Sequence, residues 1–263
     1  MKTTEYTIKT EKVNKKLCIA TVSDLHARNP QKVLSALKDI SPDLILLPGD
    51  ILEVANEYMS KRNKNAIFFF REAVKIAPCY YCFGNHEIYY SHTKRENNRI
   101  PNDNILKNIL EQIESFGIHI VNDSYDTVKI CDCSIFIGGL VCGKDTDPSL
   151  NQPEPNLRFL DEYSQINGFK ILLCHYPHYY EKYLEKTNFD LILSGHAHGG
   201  HWNFFGQGIY APHQGIFPKY TRGIHFGRLI ISTGAVNNTR PIPRFFNSPE
   251  ILKISITPQK EMP

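Results

Sequence analysis

Five apolar runs in this chain each end in a polar cluster whose side chains can hold metal. The clusters are Asp24-Leu25-His26, Gly49-Asp50, Gly84-Asn85-His86-Glu87, His175 and Gly195-His196-Ala197-His198. A lone buried histidine is usually just hydrogen-bonded in place. Oxygen and imidazole donors that recur directly after strand-like segments are hard to explain by core packing. In open α/β sheets, ligands bind beyond the carboxyl ends of the strands. A fold that gathers these strand ends brings Asp24 and His198 to contact distance. The clusters therefore predict one site, most simply a two-metal site.

The runs themselves set the fold class. Strand-like segments recur at 17–23, 44–47, 79–83, 134–141, 169–174, 191–194, 229–233 and 251–256. Several are apolar at nearly every position, as strands covered on both faces are. Helical patterns lie between the early ones. Asn29-Pro30 reads as an N-cap followed by proline at the first helical position. Val33, Leu34, Leu37 and Ile40 then make a stripe that Ser41-Pro42 ends. Ile105, Ile109, Ile113 and Phe116 make another, with Gly117 as its stop. Residues 118–141 read as strands joined by short turns. This order predicts a layered α/β sandwich. At 263 residues the chain is long enough for one large, well-buried domain, expected over 1–263.

Composition narrows the partners. A net charge of +3 and scattered basic residues argue against nucleic acid. No stretch is apolar for the length of a membrane helix, and residues 1–5 carry no apolar signal region. With seven cysteines in no disulfide-like pattern, the expected compartment is the reducing cytoplasm. Peripheral contact with a membrane surface stays open, and no protein partner is indicated. Cys79-x-x-Cys82 lies inside an apolar run, so strand packing explains it better than redox chemistry.

Taken together, the clusters resemble the calcineurin-like metallophosphoesterase superfamily. The motifs stand in the family's order, and Gly195-His196-x-His198-Gly199-Gly200 is similar to a bacterial branch with a Gly-His-Thr-His-Gly-Gly-Gln signature. The resemblance implies a four-layer α/β/β/α sandwich. It implies a first metal on Asp24, His26 and His198 and a second on Asn85, His175 and His196. Asp50 would bridge both through its two carboxylate oxygens, and His86 would approach the leaving-group or a phosphate oxygen. It implies in-line attack on a phosphodiester, pyrophosphate or phosphomonoester by a hydroxide held between the metals. The substrate would be a small phosphate ester, nucleotide- or lipid-linked among the options.

The residue types make chemical sense without the family. A bridging position needs a carboxylate. Imidazoles and an amide complete the shells without cancelling positive charge. A donor set of oxygen and imidazole, free of thiolate, suits Mn²⁺, Fe²⁺/Fe³⁺, Zn²⁺ or Co²⁺ better than an all-oxygen Mg²⁺ or Ca²⁺ site. Two such ions about 3.5–4 Å apart can activate a water and hold phosphoryl oxygens in line. Glu87 either orients His86 or is a surface residue after a turn. Glu53 is structural or supports Asp50. His201 stands where the branch has Gln, and could contact substrate, orient a ligand or face solvent. The aromatic, Gly-rich segment 202–226 follows the last cluster and could form a substrate wall. Within and near it, Lys219, Tyr220, Arg222 and, less strongly, Arg28 are candidates for holding phosphate. The Asp- and Pro-rich stretch 144–155 is either a lid or a surface connection. The rival to an enzyme is a catalytically idle phosphoesterase-fold scaffold for a protein partner. That reading predicts lost ligands, and every mapped position here is filled.

Overall fold

The computed structural model describes residues 1–53, 62–88, 103–130, 132–142, 154–236 and 244–259. Side chains of 103–105 fall outside it, as do His92 and all but the last two residues of the stretch 144–155.

Two six-stranded sheets form the interior. The first contains β1 (Lys2–Thr10), β2 (Leu17–Thr21), β3 (Leu44–Pro48), β4 (Cys79–Cys82), β5 (Ile118–Ile120) and β16 (Glu250–Pro258), in the order β1-β16-β2-β3-β4-β5. The second contains β6 (Ser124–Ile130), β7 (Cys133–Leu140), β8 (Phe169–Cys174), β9 (Leu191–Ser194), β14 (Gly223–His225) and β15 (Leu229–Ile231), in the order β14-β15-β9-β8-β7-β6. Between β9 and β14 lie two small hairpins, β10 (Asn203–Phe204) with β11 (Gln207–Gly208), and β12 (Tyr210–Ala211) with β13 (Gly215–Ile216). The strands β2-β3-β4-β5 are mutually parallel, as are β15-β9-β8-β7.

The period of two along each strand sorts residues into layers. Leu44 and Leu46 face the second sheet, while Ile45 and Leu47 face the helices α1 (Gln31–Ile40), α2 (Asn63–Ala73) and α4 (Asp103–Ser115); the short α3 (Asn85–Ile88) follows β4. In the second sheet Ile171 and Leu173 point inward, and Leu172 and Cys174 point to α5 (Leu157–Ser164). Three apolar clusters between four layers give the expected α/β/β/α sandwich.

Helix ends differ in one detail from expectation. α1 begins at Gln31, and Pro30 holds the N-cap position with φ −89° and ψ 2°. The Asn29 side chain still acts, accepting from Gln31 N–H at 3.0 Å. Asn29 bonds the second residue on, which is a turn pattern rather than a helix cap. The stops are as read. Ser41 ends α1 in the left-handed region at φ 48°, and Gly117 follows α4 at φ 94°.

The parallel strands deliver their carboxyl ends to one pole. Backbone hydrogen bonds continue past the strands and lock the turns together. Asp24 N–H donates to Gly49 O at 3.2 Å and His26 N–H to Asp50 O at 2.9 Å. Gly195 N–H donates to His175 O at 3.2 Å, and Ala235 N–H to Ser23 O at 2.9 Å.

Candidate metal centre

All five clusters meet at this pole. Asp24, His26 and His198 place one ligand atom each within 4.8 Å of one another, and so do Asp50, His175 and His196. All six residues are buried. Asp50 joins the two groups. Its Oδ1 accepts from His86 N–H at 2.9 Å, while Oδ2 lies 3.1 Å from His175 Nε2 and 3.9 Å from His26 Nε2. One oxygen, rather than two, therefore faces both groups.

The backbone is bent to make this possible. Asp24, His26, Asp50, His196 and His198 all have φ between 46° and 67°, a region in which non-glycine residues are uncommon. Strain of this kind persists where surroundings fix it, often at functional sites. Two glycines let the turns close. A Cβ on Gly84 would stand 2.2 Å from Asp50 Oδ1, and one on Gly195 would stand 2.4 Å from Asp24 Oδ2.

Supporting groups fix the imidazoles. His26 Nδ1 lies 2.6 Å from Glu53 Oε1, which leaves Nε2 pointing at Asp24 and His198. Carboxylate–histidine pairs of this type orient metal ligands. The same Oε1 is 3.0 Å from His86 Nδ1. Asn63 clamps Glu53 in turn, accepting from its N–H and donating to its carbonyl, each at 2.9 Å. His175 Nδ1 donates to Pro48 O at 2.7 Å, which leaves Nε2 facing Asp50. His196 N–H donates to Asp24 Oδ1 at 3.1 Å, and its Nε2 is 3.0 Å from His213 Nδ1.

His198 is set differently. Its Nδ1 lies 2.9 Å from Arg244 Nη2, and arginine can only donate. The ring proton therefore sits on Nε2 in this arrangement. Asn247 holds the same turn through its Nδ2, which donates to His198 O at 2.6 Å.

Glu87 meets neither of its two sequence readings. It is fully buried, and its carboxylate accepts from Asp50 N–H, Leu52 N–H and Gly84 N–H at 3.0, 2.9 and 2.8 Å. It ties the Asp50 turn to the Gly84 turn. Its acid is raised by burial and by the Asp50 carboxylate.

Electrostatics follow from close packing of acids and imidazoles. Burial alone would raise Asp50, but His175, His86 and His26 outweigh it and hold the acid well below its usual range. Burial would lower His175 and His86, yet Asp50 and its neighbours push both up to about 9. Burial, helped by His175 for the first and by His26 and Arg244 for the second, holds His196 and His198 well below the usual value, so these rings are neutral. Neutral imidazole is the form that ligates metal.

The donor set fits a pair of cations. Asn85 Oδ1 is buried with no hydrogen-bond partner among the described residues, and a buried polar atom of that kind requires one. His175 Nε2 is buried between two carboxylate oxygens, 3.1 Å from Asp50 Oδ2 and 3.9 Å from Asp24 Oδ1.

The remaining candidates fall at varied distances from the centre. His201 stacks on His198 with ring centroids 5.9 Å apart. Arg28 is half-buried in the turn after His26. Lys219 and Tyr220 both bond Glu181, and Tyr220 is buried among apolar residues. Arg222 lies near enough to Tyr6 on β1 to oppose the upward push of burial on that phenol. Cys79 and Cys82 pack on opposite faces of the first sheet.

The calcineurin-like phosphoesterase family model matches residues 18–200. The chain is 25% identical over 213 residues to the protein YpbG of Bacillus subtilis (strain 168), across 80% of this chain and 72% of that protein. It is 27% identical over 177 residues to a metallophosphoesterase of Campylobacter jejuni subsp. jejuni, across 67% of this chain but 41% of that protein. Similar solved structures include a metallophosphoesterase from Sphaerobacter thermophilus, at 15% identity and a TM-score of 0.39 over 86% of this chain and 80% of that one. Another is the phosphopantetheinyl hydrolase PptH from Mycobacterium tuberculosis, at 13% identity and a TM-score of 0.46 over 70% and 84%. With the family model spanning well over half of its residues, and the motif residues gathered at one pole, the chain belongs to the calcineurin-like phosphoesterases.

Proposed function

We propose that this chain is a two-metal phosphohydrolase acting on a phosphate ester or pyrophosphate. The observation that carries this reading is Asp50 Oδ2, which lies within 4 Å of imidazoles from both ligand groups. Asp24, His26 and His198 would hold one cation, and Asn85, His175 and His196 the other, with Asp50 between them. Manganese, iron or zinc suits this donor set. Such a pair supplies Lewis acidity and an activated water for in-line displacement at phosphorus.

The chain's own residues do the rest. Glu53 fixes the ring of His26. Glu87 and the Asp50 backbone fix the turn that presents Asp50 and His86. The His86 ring is half-exposed at the edge of the buried ligands. Its Nε2 is 3.9 Å from Asp50 Oδ2, so it can reach a leaving-group oxygen and donate a proton there. His201, beside His198, and Arg28 are the residues we assign to substrate oxygens. A non-catalytic scaffold has nothing in its favour, since no ligand position is lost. We also assign the protein to a reducing compartment such as the cytoplasm. The six described cysteines are unpaired, and no described helix is long and apolar enough to cross a membrane.

The test is metal-stripped protein reloaded with Mn²⁺, Zn²⁺, Fe²⁺ or Mg²⁺. Metal content is measured alongside turnover of a chromogenic phosphodiester and phosphomonoester. Two ions per chain and metal-dependent hydrolysis are expected. Full loading with no turnover on either ester, for any metal, would remove the general phosphohydrolase reading.

A further inference from the structure

The six-stranded sheets deliver the cation donors, but one contact to those donors comes from outside the sheets. β12 and β13 pair Ala211 with Gly215, and Pro212, His213 and Gln214 form the turn between them. His213 Nδ1 lies 3.0 Å from His196 Nε2. The fully buried Tyr176 packs against both rings, with centroids 4.4 Å from His196 and 5.1 Å from His213. That ring keeps water from the contact on its side.

The turn is held in place independently of this contact. His213 has φ 61°, in the region that the pole residues also occupy, and strain of this kind persists where surroundings fix it. Gln214 N–H donates to Ala211 O at 3.2 Å. The Gln214 amide accepts from Tyr220 N–H at 2.9 Å and donates to Tyr220 O at 2.8 Å. Ile209 N–H, just before β12, donates to Gly200 O at 3.2 Å. Gly208 comes so close that a Cβ on Gly200 would stand 2.4 Å from its Cα. The hairpin is thus fastened to the turn that carries His196 and His198.

A neutral imidazole has one N–H and one lone-pair nitrogen. Which of them meets a cation is set by the hydrogen bond that the other makes. With His196 Nε2 held by His213, Nδ1 is the nitrogen left for a cation beside Asp50 and His175. Nε2 then carries the proton and donates it to His213 Nδ1. His175 has the equivalent anchor in Pro48 O.

We infer that His213 is a positioning residue for the second cation: it fixes the ring and the tautomer of His196, and it makes the β12–β13 hairpin part of the metal centre. The inference rests on the two-metal reading. Position 213 lies beyond residue 200, where the family match ends, so the family motifs do not supply this support. His26 and His198 are anchored elsewhere, by Glu53, Arg244 and Asn247, so the effect falls on one ion of the two.

The experiment is equilibrium dialysis of the full chain against Mn²⁺, with metal analysis at each free concentration. Wild-type protein should bind two ions. His213→Leu keeps the bulk of the side chain and offers no acceptor. One ion should then bind about 10–100-fold more weakly, and the other as in the wild type. His213→Asn carries Oδ1 on Cγ, where histidine carries Nδ1, so it can accept the same proton. Both ions should bind it as they bind the wild type. Asparagine also suits the left-handed backbone, and a thermal melt should show it folded. His213→Gly, which suits that backbone too, should repeat the loss if leucine does not fold. Unchanged binding of both ions by the leucine or glycine variant overturns the inference and leaves the two-metal reading intact. So does a loss that His213→Asn shares, because the acceptor would then not be what matters. A wild type that binds no second ion overturns both, and that result precedes any variant.

Discussion

At the metal-competent pole, Asp24, Asp50 and His196 sit at φ of 53°, 55° and 67°; on the apolar rim, Phe205, Phe217 and Phe246 sit at 51°, 54° and 52°. The torsions match, but the surroundings differ. The pole residues are buried, and hydrogen bonds hold their turns. His26 N–H reaches Asp50 O, and His196 N–H reaches the Asp24 carboxylate. The rim rings project into solvent. Strain at the pole is a by-product of presenting donors from several turns to one point. Strain on the rim is kept for the side chain alone. The same backbone outlier thus occurs in two settings, one where hydrogen bonds fix the turn and one where the ring is exposed.

The pole side of this comparison gives the largest effects. Asp50→Asn keeps the shape but removes the anionic oxygen that faces both ligand groups. Turnover of the metal-loaded protein is expected to fall by about a thousandfold or more. Steady-state hydrolysis with metal analysis on the same samples checks it. A loss under about tenfold would mean that Asp50 does not join the two groups. Glu87→Ala comes next, and it tests stability. It leaves three buried N–H groups, of Asp50, Leu52 and Gly84, without their acceptor. At least about 3 kcal/mol of stability should go in a urea titration. If the loss is below about 1 kcal/mol, water replaces the carboxylate and the turn is not held as described.

Glu53 tests whether supporting groups matter as much as ligands. Glu53→Gln should cost about 10–100-fold in metal affinity or turnover, because His26 and His86 share its Oε1. It also has a pH signature in the metal-free protein. Burial would raise the Glu53 acid, but hydrogen bonds to His26 and His86 win and hold it at about 2. A folded acid below its unfolded value contributes stability that is present above the unfolded value of 4.5. That contribution is lost as pH falls towards 2. The stability gap between wild type and Glu53→Gln should therefore narrow as the solution is acidified from about 4.5. A gap that widens would reverse the sign assigned to this carboxylate.

The sequence exposed the pole far better than its supports or the rim. Parallel strands end together, so donors placed after apolar runs must converge. That logic singled out Asp24, His26, Asp50, Asn85, His175, His196 and His198, which meet at one pole. It could not see that Glu87 is buried, because its burial depends on two turns folding against each other. Arg244 and His213 reach His198 and His196 from distant or irregular segments that carry no periodic signal. β1 was also hidden. Its sequence is mostly polar, and its parallel pairing with β16 joins the first and last described strands. In α2 the run Phe68-Phe69-Phe70 blurs the helical period. On the rim the aromatic loop was visible, but left-handed torsions at Phe205, Phe217 and Phe246 cannot be read from residue types that disfavour them.

The smallest effect separates the two regions most sharply. Phe205→Asn replaces an exposed ring with a residue suited to the left-handed region. The ring buries nothing, so no transfer energy is lost. The torsional relief remains. Stability should therefore rise, by about 0.5–1 kcal/mol, in a denaturant titration of the single variant. At the pole the equivalent relief is unavailable, because each strained residue there is a donor or is packed among donors. A stability loss in Phe205→Asn would show that the ring contributes to the fold. The rim strain would then be structural like that of the pole, and the contrast between the two regions would disappear.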